Sequence, residues 1–151
     1  MEPKTVYRLS SHDNIVGIKE ASGDKERSKE LMNLCSDNIQ IFTGDDKTSM
    51  GDLIDGFSGN ISVTANVVPR QMHMMCKYAI EGDLEKASDL NNQINELHDV
   101  LFCESNPIPV KWCLNRMGLI KKGIRLPLTW LDEKYHKLLN QALLDSGALS
   151  E

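Results

Sequence analysis

A short run of apolar residues that leads directly into a lysine constrains the fold of this chain most. Residues 15–24 have the sequence IVGIKEASGD, with Lys19 after four mostly β-branched positions and a Gly-Asp turn at the end. A continuous apolar run bounded by turn residues is typical of a strand that is buried on both faces, as in parallel sheets. Lys19 is then expected at the carboxyl end of that strand.

The position of Lys19 suggests a chemical role. In α/β barrels the active site lies at the carboxyl ends of the strands. A lysine that is shielded from water there loses part of its preference for the charged form, and a free amine can attack a carbonyl carbon to form a Schiff base. The local pattern also fits a surface lysine that ends a core strand, so it does not separate the two interpretations.

Two further apolar segments have the same form as the first. Residues 39–43 end in Gly44-Asp45-Asp46, and residues 60–63 end in Thr64-Ala65-Asn66. Sequences with helical spacing separate the three segments. The alternation predicts βαβ units and a parallel sheet with strands at residues 15–19, 39–43 and 60–63. The fold class predicted is therefore α/β.

Beyond Asn66 the pattern predicts helices only. Pro69 suits the first position of a helix, and the methionines at positions 72–75 are expected in the core. We expect Asn106 to cap a helix that begins at Pro107, and residues 129–132 to form a capping box for the last helix. The predicted domains are residues 1–66, with the sheet, and residues 67–151, with the helices.

Composition excludes several classes of function. The net charge is −5, and the 17 basic residues are scattered, which argues against a nucleic-acid surface. No apolar stretch approaches the length of a membrane span, and the N-terminus lacks the apolar core of a signal peptide. We expect Cys35, Cys76, Cys103 and Cys113, which form no C-x-x-C motif, to be buried free thiols in a reducing cytoplasm.

The sequence predicts neither a metal site nor a cofactor site. Asp45 and Asp46 are adjacent carboxylates after a strand, but neighbouring residues rarely point at one ion, so a turn and helix cap are expected. Phosphate-binding glycine loops are absent. The four histidines have no ligand spacing, and we expect each to face solvent: His12, His73, His98 and His136.

Several segments together resemble the dihydrodipicolinate synthase family of Schiff-base lyases, in the family's order and approximate spacing. The resemblance covers essentially the whole chain, but only the second half of the family's usual length. The matching segments are GIKEASG at 17–23, TGDD at 43–46, GNISVTAN at 59–66, NPIPVKW at 106–112 and RLPL at 125–128.

The resemblance implies a fold and three site residues. The chain is expected to form the last three strands of a (β/α)8 barrel, followed by a C-terminal helical segment. Lys19 matches the Schiff-base lysine. Gly44 matches a glycine at the mouth of the active site, where the backbone approaches the substrate, and Ile61 matches a residue whose backbone carbonyl lies beside the Schiff-base nitrogen. Neither a metal nor a cofactor is implied.

The resemblance also implies a reaction in lysine and diaminopimelate biosynthesis. In the family, the lysine condenses with pyruvate, and the resulting enamine attacks the aldehyde of aspartate semialdehyde to give 4-hydroxy-tetrahydrodipicolinate. The family's proton-relay residues and its carboxylate-binding arginine match no residue of this chain, since Tyr7 and Arg8 are expected on an outer helix. We therefore expect little activity from this chain alone.

Partner and alternative functions remain open at this point. Unpaired edges of a three-stranded sheet predict a homo-oligomer, or a complementing N-terminal half. One alternative function is a sibling Schiff-base lyase of the N-acetylneuraminate lyase or keto-deoxy-sugar aldolase type. The other is a non-catalytic half-barrel that serves only in assembly.

Overall fold

Helices and short strands alternate over the first 60 residues, and helices alone follow. This is seen in a computed structural model, which describes residues 1–150. Single 3-10 turns at Thr64–Asn66 and Glu133–Tyr135 precede the fourth and seventh helices. The elements are α1 (Pro3–Leu9), β1 (Gly17–Glu20), α2 (Lys25–Cys35), β2 (Gln40–Thr43), α3 (Ser49–Ile54), β3 (Gly59–Asn60), α4 (Pro69–Glu81), α5 (Leu84–Val100), α6 (Ile108–Arg116) and α7 (His136–Asp145).

The three strands form one parallel sheet in the order β1-β2-β3. Lys19 lies opposite Phe42, and Phe42 lies opposite Gly59. Because each strand is followed by a helix before its parallel neighbour, the predicted βαβ arrangement is confirmed. Parallel pairing also places the carboxyl ends of all three strands at one edge of the sheet.

The strand bounds differ most from prediction at β3, which covers Gly59–Asn60 rather than residues 60–63. The backbone amide of Ile61 still donates to the carbonyl of Thr43 at 2.8 Å. Val63 then adopts a helical backbone conformation and begins the 3-10 turn. The prediction was too long because the apolar pattern continues through Val63 after the chain has turned away.

The structure divides into two compact units, of which the first contains the sheet. It comprises Met1–Ser62 with Cys76–Ala87. The helix α2 begins where the Asp24 carboxylate accepts hydrogen bonds from the amides of Glu26 (3.0 Å) and Arg27 (3.2 Å). It packs against α1 and β2 and buries Leu31 completely.

The second compact unit comprises Val63–Met75 with the residues from Ser88 onward. Met72 and Met75 are buried in the core, as predicted. The other large buried side chains of this unit are Val68, Ile94, Leu97, Leu101, Leu139 and Leu143. The predicted domain boundary after Asn66 stays a prediction.

None of the helices within residues 1–150 combines the length and the apolar character needed to cross a membrane.

Two predicted helix caps are wrong in detail. Pro107 is itself the residue before the first turn of α6, and no side chain caps that helix. Asn106 therefore lies one position too early to act as the cap. Asp132 accepts a hydrogen bond from the amide of Lys134 at 3.0 Å, so it caps the turn before α7 in place of Thr129.

Glu20 connects the end of β1 to the helix that follows. It is a buried carboxylate, 6% exposed, that accepts hydrogen bonds from the Ser22 amide (2.8 Å) and the Arg27 Nε (2.6 Å). Arg27 also donates to the carbonyl of Met1. Burial acts to raise the pKa of Glu20, but the bonds from Ser22 and Arg27 outweigh burial, so the pKa is lowered.

We predict that Glu20→Gln lowers the free energy of unfolding at pH 7 by about 1–3 kcal/mol, because Arg27 loses its charged partner. A carboxyl with a lowered native pKa stabilises the fold above its ordinary value of about 4.3 and loses that contribution as the pH falls through the native pKa. The difference between wild type and variant should therefore shrink below about pH 4.

Urea unfolding followed by circular dichroism between pH 3 and pH 7 measures this difference. Glu30→Gln, on the exposed side of α2, is the matched control and should change little at any pH. A loss of stability in Glu20→Gln that is equal at pH 3 and pH 7 would contradict the role of the charge.

Candidate active site

One face of the sheet carries all three residues that were predicted for the site. The register sets Lys19, Phe42 and Gly59 side by side. Side chains alternate along a strand, so Gly44 and Ile61, each two residues further on, belong to the same face. Lys19 is exposed, and Ile61 is 49% exposed. The structure thus brings Lys19, Gly44 and Ile61 together at the carboxyl ends of neighbouring strands.

Gly44 leaves the space that the Lys19 side chain occupies. A Cβ atom added to Gly44 would lie 2.1 Å from the Lys19 Cε and 2.9 Å from the Ala21 Cβ. The alkyl chain of Lys19 therefore crosses directly over the backbone at Gly44, the residue that follows β2. The amide of Gly44 donates to the carbonyl of Glu20 at 2.7 Å, which holds the two backbones in this close approach.

Phe42 fills the middle of the same face between two glycines. A Cβ on Gly17 would lie 3.2 Å from the Phe42 Cε2, and a Cβ on Gly59 would lie 3.2 Å from the Phe42 Cδ1. Side chains at either glycine would crowd the ring. The ring therefore forms an apolar floor beside the base of Lys19. Both glycines lie within the motifs GIKEASG and GNISVTAN, but the sequence alone indicates no role for them.

The loop after β2 uses its two carboxylates as structural acceptors. Asp45 accepts a hydrogen bond from the amide of Thr48 at 3.2 Å, which forms the predicted turn before α3. Asp46 is 1% exposed and accepts from the Nδ2 of Asn60 at 3.0 Å, which joins this loop to β3. No group of three or more His, Cys, Asp or Glu side chains within residues 1–150 is placed to hold a metal ion.

A buried hydroxyl–carboxylate group supports the end of β2 from the opposite face. The Thr43 Oγ1 donates to the Asp52 Oδ2 at 2.6 Å, and the Thr48 Oγ1 donates to the same oxygen at 3.1 Å. Thr43 is fully buried. These bonds fasten the strand next to Gly44 to α3. The sequence does not indicate these bonds, because the bonded residues lie up to nine positions apart and show no periodic pattern.

The thiols are placed for packing rather than for reaction. Burial, together with the nearby charge of Asp46, raises the pKa of the Cys76 thiol to about 11. Burial, with a smaller effect of Cys103, raises that of Cys113 to about 12. Thiols with raised pKa values form little thiolate and are poor nucleophiles at neutral pH. All four cysteines are free, and Cys35 and Cys113 are fully buried.

The prediction that every histidine faces solvent is wrong for His98. This residue of α5 is 3% exposed, and its Nδ1 lies 2.9 Å from the Oγ1 of buried Thr64. The contact anchors the 3-10 turn that follows β3. His136 is partly buried and stacks on Trp112, with ring centroids 4.9 Å apart. His98 lies four residues after Ile94 and three before Leu101, so helical spacing could have indicated its burial, whereas its partner Thr64 is thirty-four residues away and leaves no local signal.

Comparison with known proteins gives a consistent result. The model of the dihydrodipicolinate synthetase family matches residues 1–145. The 4-hydroxy-tetrahydrodipicolinate synthase of Pseudomonas aeruginosa is 50% identical over 150 residues, which is 99% of this chain and 51% of that protein. The synthase of Nitrosococcus oceani is 50% identical over 141 residues, which is 93% of this chain and 48% of that protein.

A solved structure extends the similarity to three dimensions. The chloride-inhibited dihydrodipicolinate synthase of Acinetobacter baumannii, crystallised with pyruvate, superposes with a TM-score of 0.95 at 49% identity, covering 98% of this chain and 51% of that one. The predicted partial (β/α)8 barrel with C-terminal helices is thereby confirmed. The chain spans about half the length of the relatives it matches and corresponds to their C-terminal half. It belongs to the dihydrodipicolinate synthetase family.

Proposed function

We propose that this chain supplies the nucleophilic lysine of a 4-hydroxy-tetrahydrodipicolinate synthase, and that Lys19 is that residue. The observation that carries the proposal is the path of the Lys19 side chain across Gly44, on the face shared with Ile61. Lysines at the carboxyl ends of barrel strands are positioned to react with a bound carbonyl compound. The names of the relatives favour a synthase over a sibling lyase.

The proposed reaction begins with the addition of the Lys19 amine to the ketone carbon of pyruvate. Loss of water gives an imine, and loss of a methyl proton gives an enamine. The enamine carbon attacks the aldehyde carbon of aspartate semialdehyde and forms the new carbon–carbon bond. Attack of the substrate's own amine on the imine carbon closes the ring and releases Lys19. In this scheme the backbone at Gly44 and Ile61 lines the path of the substrate.

The scheme requires groups that we do not assign to this chain. Within residues 1–150 we assign neither a proton relay nor a cation for the carboxylate of the second substrate. We propose that they come from a further segment or subunit that pairs with the sheet. Within residues 1–150, β1 and β3 each have one neighbouring strand, and open strand edges favour such pairing.

The free thiols are consistent with a reducing, cytoplasmic location.

We predict that Lys19 is the residue that pyruvate modifies. Incubation with pyruvate and borohydride should give a stable adduct, located by peptide mass spectrometry, because reduction converts an imine to a secondary amine. Lys19→Ala should abolish the adduct. Lys29→Ala, which removes an exposed lysine of α2, should leave it unchanged. An adduct on another lysine, with Lys19 unmodified, would exclude the proposed role.

We predict that Gly44→Ala slows adduct formation by at least about tenfold, because displacement of a reacting group by about 1 Å can cost a factor of 100. The new Cβ would overlap the Lys19 Cε, which can move, and would lie 2.9 Å from the Ala21 Cβ, which is fixed to the backbone. The thermal midpoint should therefore fall, and trapping rates are compared well below it, where both proteins are folded. Gly51→Ala, whose added Cβ meets nothing within 4 Å, is the control. Equal trapping rates in wild type and Gly44→Ala would refute the positioning role.

We predict that the 151-residue chain alone turns over pyruvate and aspartate semialdehyde at least about 10⁴-fold more slowly than a full-length relative. Positioned proton transfer contributes about 10²–10⁴-fold by itself, and orientation of the second substrate adds to that. A coupled assay on the purified chain measures the rate. A kcat within about tenfold of the full-length value would mean that this chain, or a second copy of it, supplies the relay.

A further inference from the structure

A cavity in the second compact unit joins two sequence motifs that the chemistry of Lys19 does not use. Its volume is about 430 Å³. The first motif, NPIPVKW, contributes Pro107 and Lys111, and the second motif, RLPL, contributes residues 125–128. Ile124 completes the lining. Two segments with twelve residues between them thus meet around one space.

The lining combines apolar side chains with two cations. Five of the seven lining residues are aliphatic or proline, and Leu126 is 82% exposed. The two charged residues, Lys111 and Arg125, are both positive, and no carboxylate lines the cavity among the residues described. Neither cation has an ion pair or a side-chain hydrogen bond within residues 1–150.

The charge of the surrounding sequence has the same sign. Residues 105–131 contain five basic residues and no acidic residue, although the whole chain has a net charge of −5. Such a local excess attracts anions. Of the other three basic residues, Arg116 bonds the side chain of Asn140, and Lys122 lies over the ring of Trp130. Lys111 and Arg125 are the two that border the cavity.

We propose that this cavity binds a small carboxylic acid with an apolar body. Small-molecule sites typically have volumes of about 300–1,000 Å³ and combine apolar walls with a few polar groups that orient the ligand. The aliphatic residues and prolines would contact the body of the ligand. Lys111 and Arg125 would contact its carboxylate, for which the planar guanidinium offers two parallel donors. The proposal is independent of the Schiff-base chemistry.

The probe for a first test is 3-phenylpropanoate, which has no carbonyl group that could form an imine with Lys19. Its neutral analogue 3-phenylpropan-1-ol has the same apolar body and lacks the charge. Each is titrated into the ¹⁵N-labelled chain, and the backbone amide shifts are followed. We expect 3-phenylpropanoate to shift the amides of Lys111, of residues 124–126 and of Leu128, and the alcohol to bind at least about threefold more weakly.

Variants separate the contributions of the two cations. Arg125→Gln and Lys111→Gln should each weaken binding of the acid by about threefold to fivefold, the range of a partly exposed ion pair. Neither should alter binding of the alcohol. Lys121→Gln, an exposed lysine outside the lining, should leave binding of the acid unchanged. Lys19→Ala should also leave it unchanged, which keeps this test separate from that of the proposed enzyme activity.

Three results would overturn the proposal. Equal affinities for the acid and the alcohol would show that the cations take no part. Shifts confined to other residues, or no shifts up to the solubility of the probe, would show that the cavity does not bind it. Concentration-dependent shifts of residues 124–128 without probe, together with self-association by light scattering, would show that a second copy of the chain covers the cavity.

Discussion

The close approach of β1 and β2 at their carboxyl ends is the contact on which the candidate site depends. The amide of Gly44 bonds the carbonyl of Glu20, and the missing side chain of Gly44 leaves room for the alkyl chain of Lys19. A lysine is long and flexible, and ordering it normally costs conformational entropy. Here the space above Gly44 directs the alkyl chain, and within residues 1–150 the Lys19 amine has no hydrogen bond or ion pair.

The two faces of the small sheet differ in their contacts: one packs against helices, and the other carries Lys19. On the helix face, the carboxylates of Glu20 and Asp52 are buried and bonded to Arg27 and Thr43. Buried polar groups need such partners, and these bonds fix the strand ends and the loops that follow them. On the site face, glycines and Phe42 leave Lys19 accessible. The helix face thus fixes the ends of the strands, and the site face leaves the Lys19 side chain exposed.

This chain spans about half the length of its relatives, and we assign to it only one of the groups that the proposed reaction needs. Formation of an imine needs one amine in a defined position, and this chain contains a candidate for it. Turnover needs further groups that orient the second substrate and move protons. Residues 105–131 differ from the rest of the chain in charge. This basic stretch borders a largely apolar cavity, whereas the rest of the chain is acidic. The proposed nucleophile and the cavity therefore present two separable sets of residues for experiment.

The order of elements, the parallel sheet and the place of Lys19 near the carboxyl end of β1 could all be predicted from the sequence, because apolar periodicity and turn residues are local signals. The catalytic role of Lys19 follows from the family resemblance and stays a prediction. Local signals did not reveal that Gly44 accommodates Lys19 or that Phe42 lies between Gly17 and Gly59, since these contacts depend on the register between strands. They also misplaced the end of β3, where the apolar pattern outlasts the pairing, and the environment of His98, which is buried against Thr64 thirty-four residues away. Contacts between distant segments arise only when the chain folds, so the sequence determined which strands form, and the folded structure determined which side chains meet.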